Sequence, residues 1–261
     1  MKNKKIKGNN PVFLLTVALI FIIAVCLIIF FTLRQPVIYN YGCGDEIPIV
    51  GVVGGNGKTL CVDIIADVMK SKYNVGKMNK DGITIDNVCK NNKSLTVDKM
   101  ILDHSVDAAV LGLSCGYINR SGLGFNKCDI GIFLNNREPS GRMKYHNHLY
   151  KHICQNGCAI VNCDEIYSDY LRQMIPLMQC KIIYFCYYKN SQFLMNAYKK
   201  KAPIIYYQGS SITYIDIKTK YVFNLSNNHS RYDVEAIMAA IGCCIHMNFN
   251  INYIKQVCNG L

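Results

Sequence analysis

The segment GGNGKT, Gly54–Thr59, joins an apolar run to a helical pattern. Ile47–Val53 predicts a buried strand, and a helix is predicted to begin near Lys58 because apolar residues then recur at helical spacing: Leu60, Ile64, Ile65, Val68 and Met69. A strand that enters a helix through a glycine-rich loop presents backbone N–H groups and the positive end of the helix dipole to an anion. The sequence therefore predicts a phosphate site with these expected ligands: Gly54, Gly55, Asn56, Gly57, Lys58 and Thr59.

The rest of the chain alternates short apolar runs with helical patterns. Further strands are predicted at Ala108–Leu113, Ile130–Asn135, Ala159–Asn162 and Ile182–Phe185. Helices are predicted at Arg142–Cys154, Asp164–Ile175 and Arg231–His246. The runs APIIYYQ, SITYIDI and KYVFNL follow one another with short turns, which indicates an antiparallel addition. The fold class predicted is α/β, with a mostly parallel sheet and helices on both of its faces.

The loop departs from the general P-loop motif, because Val52 stands where that motif has its first glycine. The shorter form GGNGKT resembles the ATP loop of the Mur ligase family, which reads approximately GTNGKT. The run VDAAVLGLSCGYINRSGLGFNKCDIGIFLNN, residues 106–136, is similar to the central domain of cyanophycin synthetase and its Mur ligase relatives. Asp81-Gly82, AIVNCDE at 159–165 and the helix at 231–246 extend this resemblance, which runs from about residue 47 to the end.

The resemblance implies ATP and Mg²⁺ as cofactors and an ATP-dependent ligase, in which a phosphorylated carboxylate is attacked by an amine. Thr59 would then be a metal ligand, and Asn162 and Asp164 would contact the nucleotide. For these last two we favour another interpretation, namely a strand end and a helix N-cap.

Several positions depart from the family pattern. Gly112 replaces the Mg²⁺-binding Glu, Cys115 replaces an Arg, and Pro139 and Ser140 replace an Asp-His pair. We also expect the C-terminal Mur domain and the ATP-grasp region that precedes this domain in cyanophycin synthetase to be absent. These departures predict a protein without ligase activity and without catalytic residues.

Residues 11–33, PVFLLTVALIFIIAVCLIIFFTL, contain no charged side chain. About 20 apolar residues suffice to cross a bilayer as a helix, so a single uncleaved signal anchor is predicted. Residues 1–10 form a short tail with four lysines, which places the N-terminus in the cytosol and the C-terminal domain on the exoplasmic side or on a cell or virion surface. Residues 34–46 are a linker, and 47–261 form the Mur ligase-like domain.

The net charge is +12, and the chain has 14 cysteines. The charge suits anionic lipid, nucleic acid or nucleotide partners, but we favour a solvated lysine-rich surface and expect no specific nucleic acid partner. An exoplasmic domain would permit disulfides, and glycosylation triplets begin at Asn92, Asn119, Asn224 and Asn228.

For two other clusters we favour a structural interpretation without a ligand. His146, His148, His152, Cys154 and Cys158 fit no standard zinc spacing, so a solvated helix face is expected. The run YFCYYK, Tyr184–Lys189, could stack on nucleic-acid bases, but the edge of a strand entering a turn is expected.

Two hypotheses follow for function. The first is a membrane-anchored, catalytically inactive Mur ligase-like domain that contacts the lipid bilayer and an unidentified protein partner, and that still binds a nucleotide or another anion at Gly54–Thr59. Such reuse suits a large DNA virus or another rapidly diverging genome. The alternative is an active ATP-dependent carboxylate–amine ligase with a cytosolic domain, which the intact Lys58 and Thr59 favour.

Overall fold

The structure is a computed structural model that describes residues 20, 22–23, 25, 47–85, 88–89, 95–135, 146–164, 173–189, 191–225 and 229–260. The chain divides into two compact units, Met1–Asn40 and Tyr41–Leu261. In the first unit the four described residues are helical and exposed. The rest of the predicted anchor, the tail and the linker lie outside the described residues. None of the helices in the described ranges combines the length and the apolar character needed to cross a membrane.

The second unit is built on one sheet, which in the described ranges has eleven strands in the order β11-β10-β9-β8-β7-β6-β1-β5-β2-β3-β4. The strands are β1 Ile49–Val53, β2 Val75–Asn79, β3 Gly82–Ile85, β4 Val88–Cys89, β5 Ala108–Leu113, β6 Cys128–Phe133, β7 Ile153–Asn162, β8 Lys181–Cys186, β9 Ile204–Gln208, β10 Ser211–Ile215 and β11 Lys220–Asn224. The seven strands from β9 to β2 pair in parallel, and antiparallel strands extend both edges. The predicted mixed α/β fold with a mostly parallel sheet is confirmed.

Strand β1 lies at the centre because it is buried on both sides. Its side chains alternate between two hydrophobic clusters, with Val50 and Val52 in one and Ile49 and Val53 in the other. β1 is flanked in parallel by β5 and by β6, which follow it only later in the chain. The strands that follow β1 in the parallel sheet are thus placed on both sides of it. Open α/β sheets form a ligand crevice at such a point, outside the carboxyl ends of the strands.

Seven helices cover the sheet in the described ranges. They are α1 Lys58–Met69, α2 Val97–Ile101, α3 Cys115–Ser121, α4 His146–His152, α5 Gln192–Lys199, α6 Arg231–His246 and α7 Ile251–Asn259. Buried residues of α1, α6 and α7 belong to the cluster that contains Val50 and Val52. Buried residues of α2, α3 and α4 belong to the cluster on the opposite face, and α5 packs on a third, smaller cluster around β8 and β9.

Several element predictions need correction. The helix expected at 142–154 ends at His152, and β7 begins at Ile153 rather than at Ala159, because β7 already pairs with β6 at Cys128. Most of the helix expected at 164–175 lies outside the described residues. The strands β2 to β4 and the short helices α2, α3, α5 and α7 were not predicted. The antiparallel addition at the end of the sheet is confirmed as β9, β10 and β11.

Candidate functional site

The loop between β1 and α1 has a backbone that requires glycine at two positions. Gly54 has φ 138° and Gly57 has φ 82°, both in the region that L-residues rarely adopt. A Cβ atom at Gly57 would lie 2.8 Å from the carbonyl oxygen of Tyr232 in α6. The loop is therefore held closely against the first turn of α6, and this contact limits which residues it can contain.

Asn135, at the carboxyl end of β6, holds the loop from the other side. Its Oδ1 accepts hydrogen bonds from the backbone N–H groups of Gly55 and Asn56, at 3.1 Å each. Its Nδ2 donates to the carbonyl oxygen of Asn56 at 3.0 Å and to Glu235 Oε2 at 3.2 Å. One buried amide side chain thus satisfies three polar groups of the loop and ties the loop to α6.

Helix α1 begins with its N-terminus open. Gly57 supplies no side-chain cap, and the first turn of α1 contains no acidic residue. Uncapped backbone N–H groups at a helix start favour an anion. The Lys58 ammonium donates hydrogen bonds to the carbonyl oxygens of Gly54 and Gly55, so its positive charge lies over the loop. This arrangement can bind phosphate at the start of α1.

A cleft of about 630 Å³ opens in front of this helix start. It is lined by Gly55, Asn56, Gly57, Lys58, Thr59, Leu60, Met78, Asn79, Lys80, Gly112, Ser114, Tyr117, Arg120 and Asp233. Three of these residues carry positive charge. The acid among them, Asp233, accepts hydrogen bonds from the hydroxyl and the N–H of Ser230 in a capping box that starts α6. The cleft is therefore predominantly cationic.

Of the positions that depart from the family pattern, Gly112 lines this cleft and Cys115 does not. Gly112 lines the cleft in β5, and a Cβ atom there would lie 3.2 Å from the Met78 carbonyl oxygen and 3.3 Å from Val62 Cγ2. A longer side chain at this position would crowd β2. Cys115 is buried at the first turn of α3, whose N-cap is Ser114. Pro139 and Ser140 lie outside the described residues.

Asn162 and Asp164 are buried at the end of β7, and neither lines the cleft. Asn162 Nδ2 donates to the Leu134 carbonyl oxygen, and Asn162 Oδ1 accepts from the N–H of Asp164 at 3.0 Å. The predicted strand end is confirmed because β7 ends at Asn162. The residues that follow Asp164 are outside the described ranges, so its predicted N-cap role stays a prediction. Gly54 also does not line the cleft, while Gly55 to Thr59 all do.

A partly buried ion-pair network connects the loop to Asp164. Arg231 Nε donates to Glu235 Oε1 at 2.9 Å, and Arg231 Nη2 is paired with Asp164 Oδ2. Burial raises the pKa of Glu235, and the hydrogen bond from Arg231 opposes that shift. Tyr187 and Tyr188 place their rings 5.4 and 5.3 Å from the Arg231 guanidinium carbon. These contacts give the start of α6 a defined position beside the loop.

Sequence reasoning missed the roles of Asn135, Arg231 and Glu235. Arg231 and Glu235 are separated by one helical turn, and this spacing is a local signal for an ion pair. Asn135 ends the apolar run of β6, but its partner is 80 residues away in sequence. That long-range contact has no local signature.

The histidine and cysteine cluster lies on α4 and β7, and the run Tyr184–Lys189 begins in β8. His148 and His152 lie on α4, and a ring nitrogen of His152 is hydrogen-bonded to the His148 carbonyl oxygen. Across the described ranges, no three His, Cys, Asp or Glu side chains are grouped so that they could hold a metal ion. In the run Tyr184–Lys189, β8 ends at Cys186 and a turn follows; β8 pairs on both sides and is not an edge strand.

Most cysteines with described side chains are buried thiols. Cys154 is disulfide-bonded, and ten others form no disulfide, nine of them buried. Burial raises the pKa of the free thiols in the core, for example Cys186 to about 12 and Cys258 to about 12. These thiols therefore stay protonated at neutral pH and are poor nucleophiles.

Part of the chain is similar in sequence to curated proteins. No family model matches the chain. It is 26% identical to cyanophycin synthetase of Geminocystis herdmanii over 184 residues, which are 65% of this chain and 21% of that protein. It is 35% identical to cyanophycin synthetase of Trichormus variabilis over 95 residues, 34% of this chain and 10% of that protein. The matches thus span about a fifth or less of the length of these curated relatives.

Solved structures share the fold. A UDP-N-acetylmuramoyl-L-alanyl-D-glutamate–2,6-diaminopimelate ligase superposes with a TM-score of 0.65 at 16% identity, covering 83% of this chain and 46% of that one. MurF ligase from Thermotoga maritima in complex with ADP superposes with a TM-score of 0.54 at 16% identity, covering 81% and 48%. The second unit of this chain therefore has a Mur ligase-like fold.

Proposed function

We propose that this protein is a membrane-anchored Mur ligase-like domain that binds a nucleotide or another phosphate-bearing anion at Gly54–Thr59 without catalysing ligation. One observation carries the proposal. The uncapped start of α1 opens into a cleft of about 630 Å³ that is lined by Lys58, Lys80 and Arg120. Phosphate groups combine negative charge with strong acceptor oxygens, which such a helix start complements.

The residues of the cleft fit the phosphate part of a nucleotide better than a metal ion. Thr59 supplies one hydroxyl to the cleft. The carboxylate of Asp233 is engaged by Ser230 in the capping box, and Gly112 offers no side chain. Mg²⁺ is normally held by one or two carboxylates together with phosphate oxygens and water. We therefore infer nucleotide binding with weak dependence on Mg²⁺, and Thr59 is the residue that would contact the metal if one accompanies the nucleotide.

Loss of catalysis follows from the same inference. Phosphoryl transfer depends on a metal that bridges phosphate oxygens and neutralises developing charge. A cleft that positions phosphate without such a metal retains binding and loses the chemical step. We propose that the domain serves a structural or protein-interaction role, with an unidentified protein partner.

The proposed anchor is the uncharged segment 11–33. Its described residues are helical, and Ile20, Ile22, Ile23 and Val25 expose between 37% and 65% of their surface. Exposed apolar side chains on a helix suit contact with lipid.

The charge distribution around the segment supports an exoplasmic domain, and this orientation has a direct test. Asn119 and Asn224 are exposed acceptor residues of glycosylation triplets, so expression in eukaryotic cells should give a glycosidase-sensitive mass that Asn119→Gln and Asn224→Gln reduce.

Nucleotide binding is tested by the thermal unfolding of the full chain in lipid nanodiscs, with and without ATP, in Mg²⁺ and in EDTA. A ligand at 100 times its Kd stabilises the folded state by about 2.7 kcal/mol. We expect ATP to raise the melting temperature in both buffers. Lys58→Ala should abolish the shift and Lys80→Ala should reduce it. Lys218→Ala, an exposed change in the turn before β11, should leave it intact.

Other outcomes have definite meanings. No shift at millimolar ATP would refute nucleotide binding and leave only the interaction role. A shift that requires Mg²⁺, together with ADP release when amine and carboxylate substrates are added, would instead support an active ATP-dependent carboxylate–amine ligase.

A further inference from the structure

A second cleft, of about 450 Å³, lies between α5 and the 3-10 turn Ile175–Leu177. It shares no lining residue with the cleft in front of α1. Its volume lies within the range of small-molecule sites, which is roughly 300 to 1,000 Å³. The cleft is thus a separate candidate binding site.

The walls of this cleft are apolar and aromatic. Ile175 and Pro176 form one side, and Tyr184 and Phe193 contribute rings whose centroids are 5.7 Å apart at an interplanar angle of 63°. Edge-to-face ring pairs of this kind pack well against a further aromatic or branched apolar group. A ligand for this cleft therefore needs an apolar body.

The rim of the cleft is polar and positively charged. Gln192 and Lys200 line it, and within the described residues neither side chain has a hydrogen bond or an ion pair. Residues 170–215 contain six lysine and arginine residues and no aspartate or glutamate. An anion at Lys200 would consequently meet no nearby acid from this segment of the chain.

We propose that this cleft binds a small amphipathic carboxylate, with its aryl or branched alkyl body against Tyr184 and Phe193 and its carboxylate paired with Lys200. A few polar groups at the rim of an apolar cavity fix the orientation of a small ligand. The phenol of Tyr184 also has the protonation state that the proposal needs. Burial raises its pKa to about 12, so it keeps its proton at neutral pH and can donate to an acceptor. The proposal does not depend on nucleotide binding at Gly54–Thr59.

The test uses the full chain in nanodiscs of zwitterionic lipid and 4-phenylbutanoate as the probe. Saturation-transfer NMR measures which probe protons touch the protein, and a titration gives the Kd. We expect transfer strongest at the phenyl protons, a Kd on the order of 1 mM for so small a ligand, and weaker binding of the neutral 4-phenylbutanamide. Mg²⁺-free ATP should not displace the probe.

Matched variants locate the site. Lys200→Gln should raise the Kd about three- to tenfold, because it removes a charge-assisted contact at an exposed position. Lys199→Gln makes the same change on the neighbouring exposed residue, which does not line the cleft, and should leave the Kd unchanged. Phe193→Ala removes an aromatic wall and should abolish transfer, with the melting temperature confirming that the variant is folded.

Three results would overturn the proposal. The first is the absence of saturation transfer at millimolar probe. The second is an equal rise of the Kd in Lys200→Gln and Lys199→Gln, and the third is a Kd that no variant changes. If Phe193→Ala does not fold, the comparison of the two lysine variants decides alone.

Discussion

Asn135 and Glu235 are 100 residues apart in sequence and are joined by a hydrogen bond of 3.2 Å between Asn135 Nδ2 and Glu235 Oε2. Both side chains are buried, with 7% and 2% of their surface exposed. Asn135 also accepts hydrogen bonds from two N–H groups of the loop, so its bond to Glu235 connects the loop to the ion pair of Glu235 and Arg231. The position of the glycine-rich loop thus depends on a helix that begins more than 170 residues later.

The first prediction concerns that amide. Asn135→Ala should lower the free energy of unfolding by about 2 to 3 kcal/mol, because it leaves buried partners without their hydrogen bonds. Urea unfolding followed by circular dichroism measures the change. Asn224→Ala is the matched control, since Asn224 is exposed and bonds only to the Ser211 hydroxyl among described residues. That variant should stay within about 0.5 kcal/mol of the parent. Equal losses in the two variants would contradict the structural role of Asn135.

The second prediction separates backbone strain from crowding. Gly57 and Gly82 both have positive φ. A Cβ atom added at Gly57 would lie 2.8 Å from the Tyr232 carbonyl oxygen, whereas a Cβ atom added at Gly82 would have no neighbouring atom within 4 Å. Gly82→Ala should therefore cost about 1 kcal/mol from strain alone. Gly57→Ala should cost about 2 kcal/mol more, because the loop must move away from α6. Thermal unfolding of both variants tests this order, and a smaller loss at Gly57 would show that the loop is not packed against α6.

The third prediction concerns the position where the family resemblance implies a glutamate. Gly112→Ala should lower the free energy of unfolding by about 1 to 2 kcal/mol, since its Cβ atom crowds the Met78 carbonyl oxygen and Val62. Gly116→Ala, on exposed helix α3 with no close neighbour, should raise it by about 0.4 to 1 kcal/mol. Chemical denaturation of the pair is the measurement. If Gly112→Ala is neutral, β5 has room for a side chain and the absence of a metal ligand there is not a packing constraint.

The fourth prediction is a pH dependence. Burial, and to a smaller extent Lys181, lowers the pKa of His246 from 6.5 to about 4. Between these two values the unfolded chain binds more protons at this site than the folded chain does, so stability falls as the pH falls from about 6.5 towards 4. His246→Gln should make the melting temperature less sensitive to pH across this window. His104→Gln, the same change at an exposed residue, should keep the parent's dependence. Identical pH profiles for all three proteins would refute the assignment to His246.

Much of the fold could be predicted from the sequence because its signals are local. The apolar run of β1, the helical spacing of α1 and the glycines between them occupy fewer than 25 consecutive residues, 47–69. Periodicity reports which face of an element is buried, and alternating strands and helices imply a parallel sheet. Strands β2 to β4 were missed because they are short, with five, four and two residues, and too few positions repeat for a period to be recognised.

The candidate site could be predicted only in part for the same reason. Gly55 to Thr59 line the cleft as expected, because a strand–loop–helix unit places its own loop at the helix start. The sequence by itself determined the class of fold, the loop and the likeness to Mur ligases. Only the tertiary structure decided that Asn135 holds the loop, that Asp164 pairs with Arg231 instead of lining the cleft, and that a Cβ atom at Gly112 would crowd the Met78 carbonyl oxygen. These features arise where β1 lies between β5 and β6, and the order and register of strands that are distant in the chain are set by packing of the whole sheet, which no local pattern encodes.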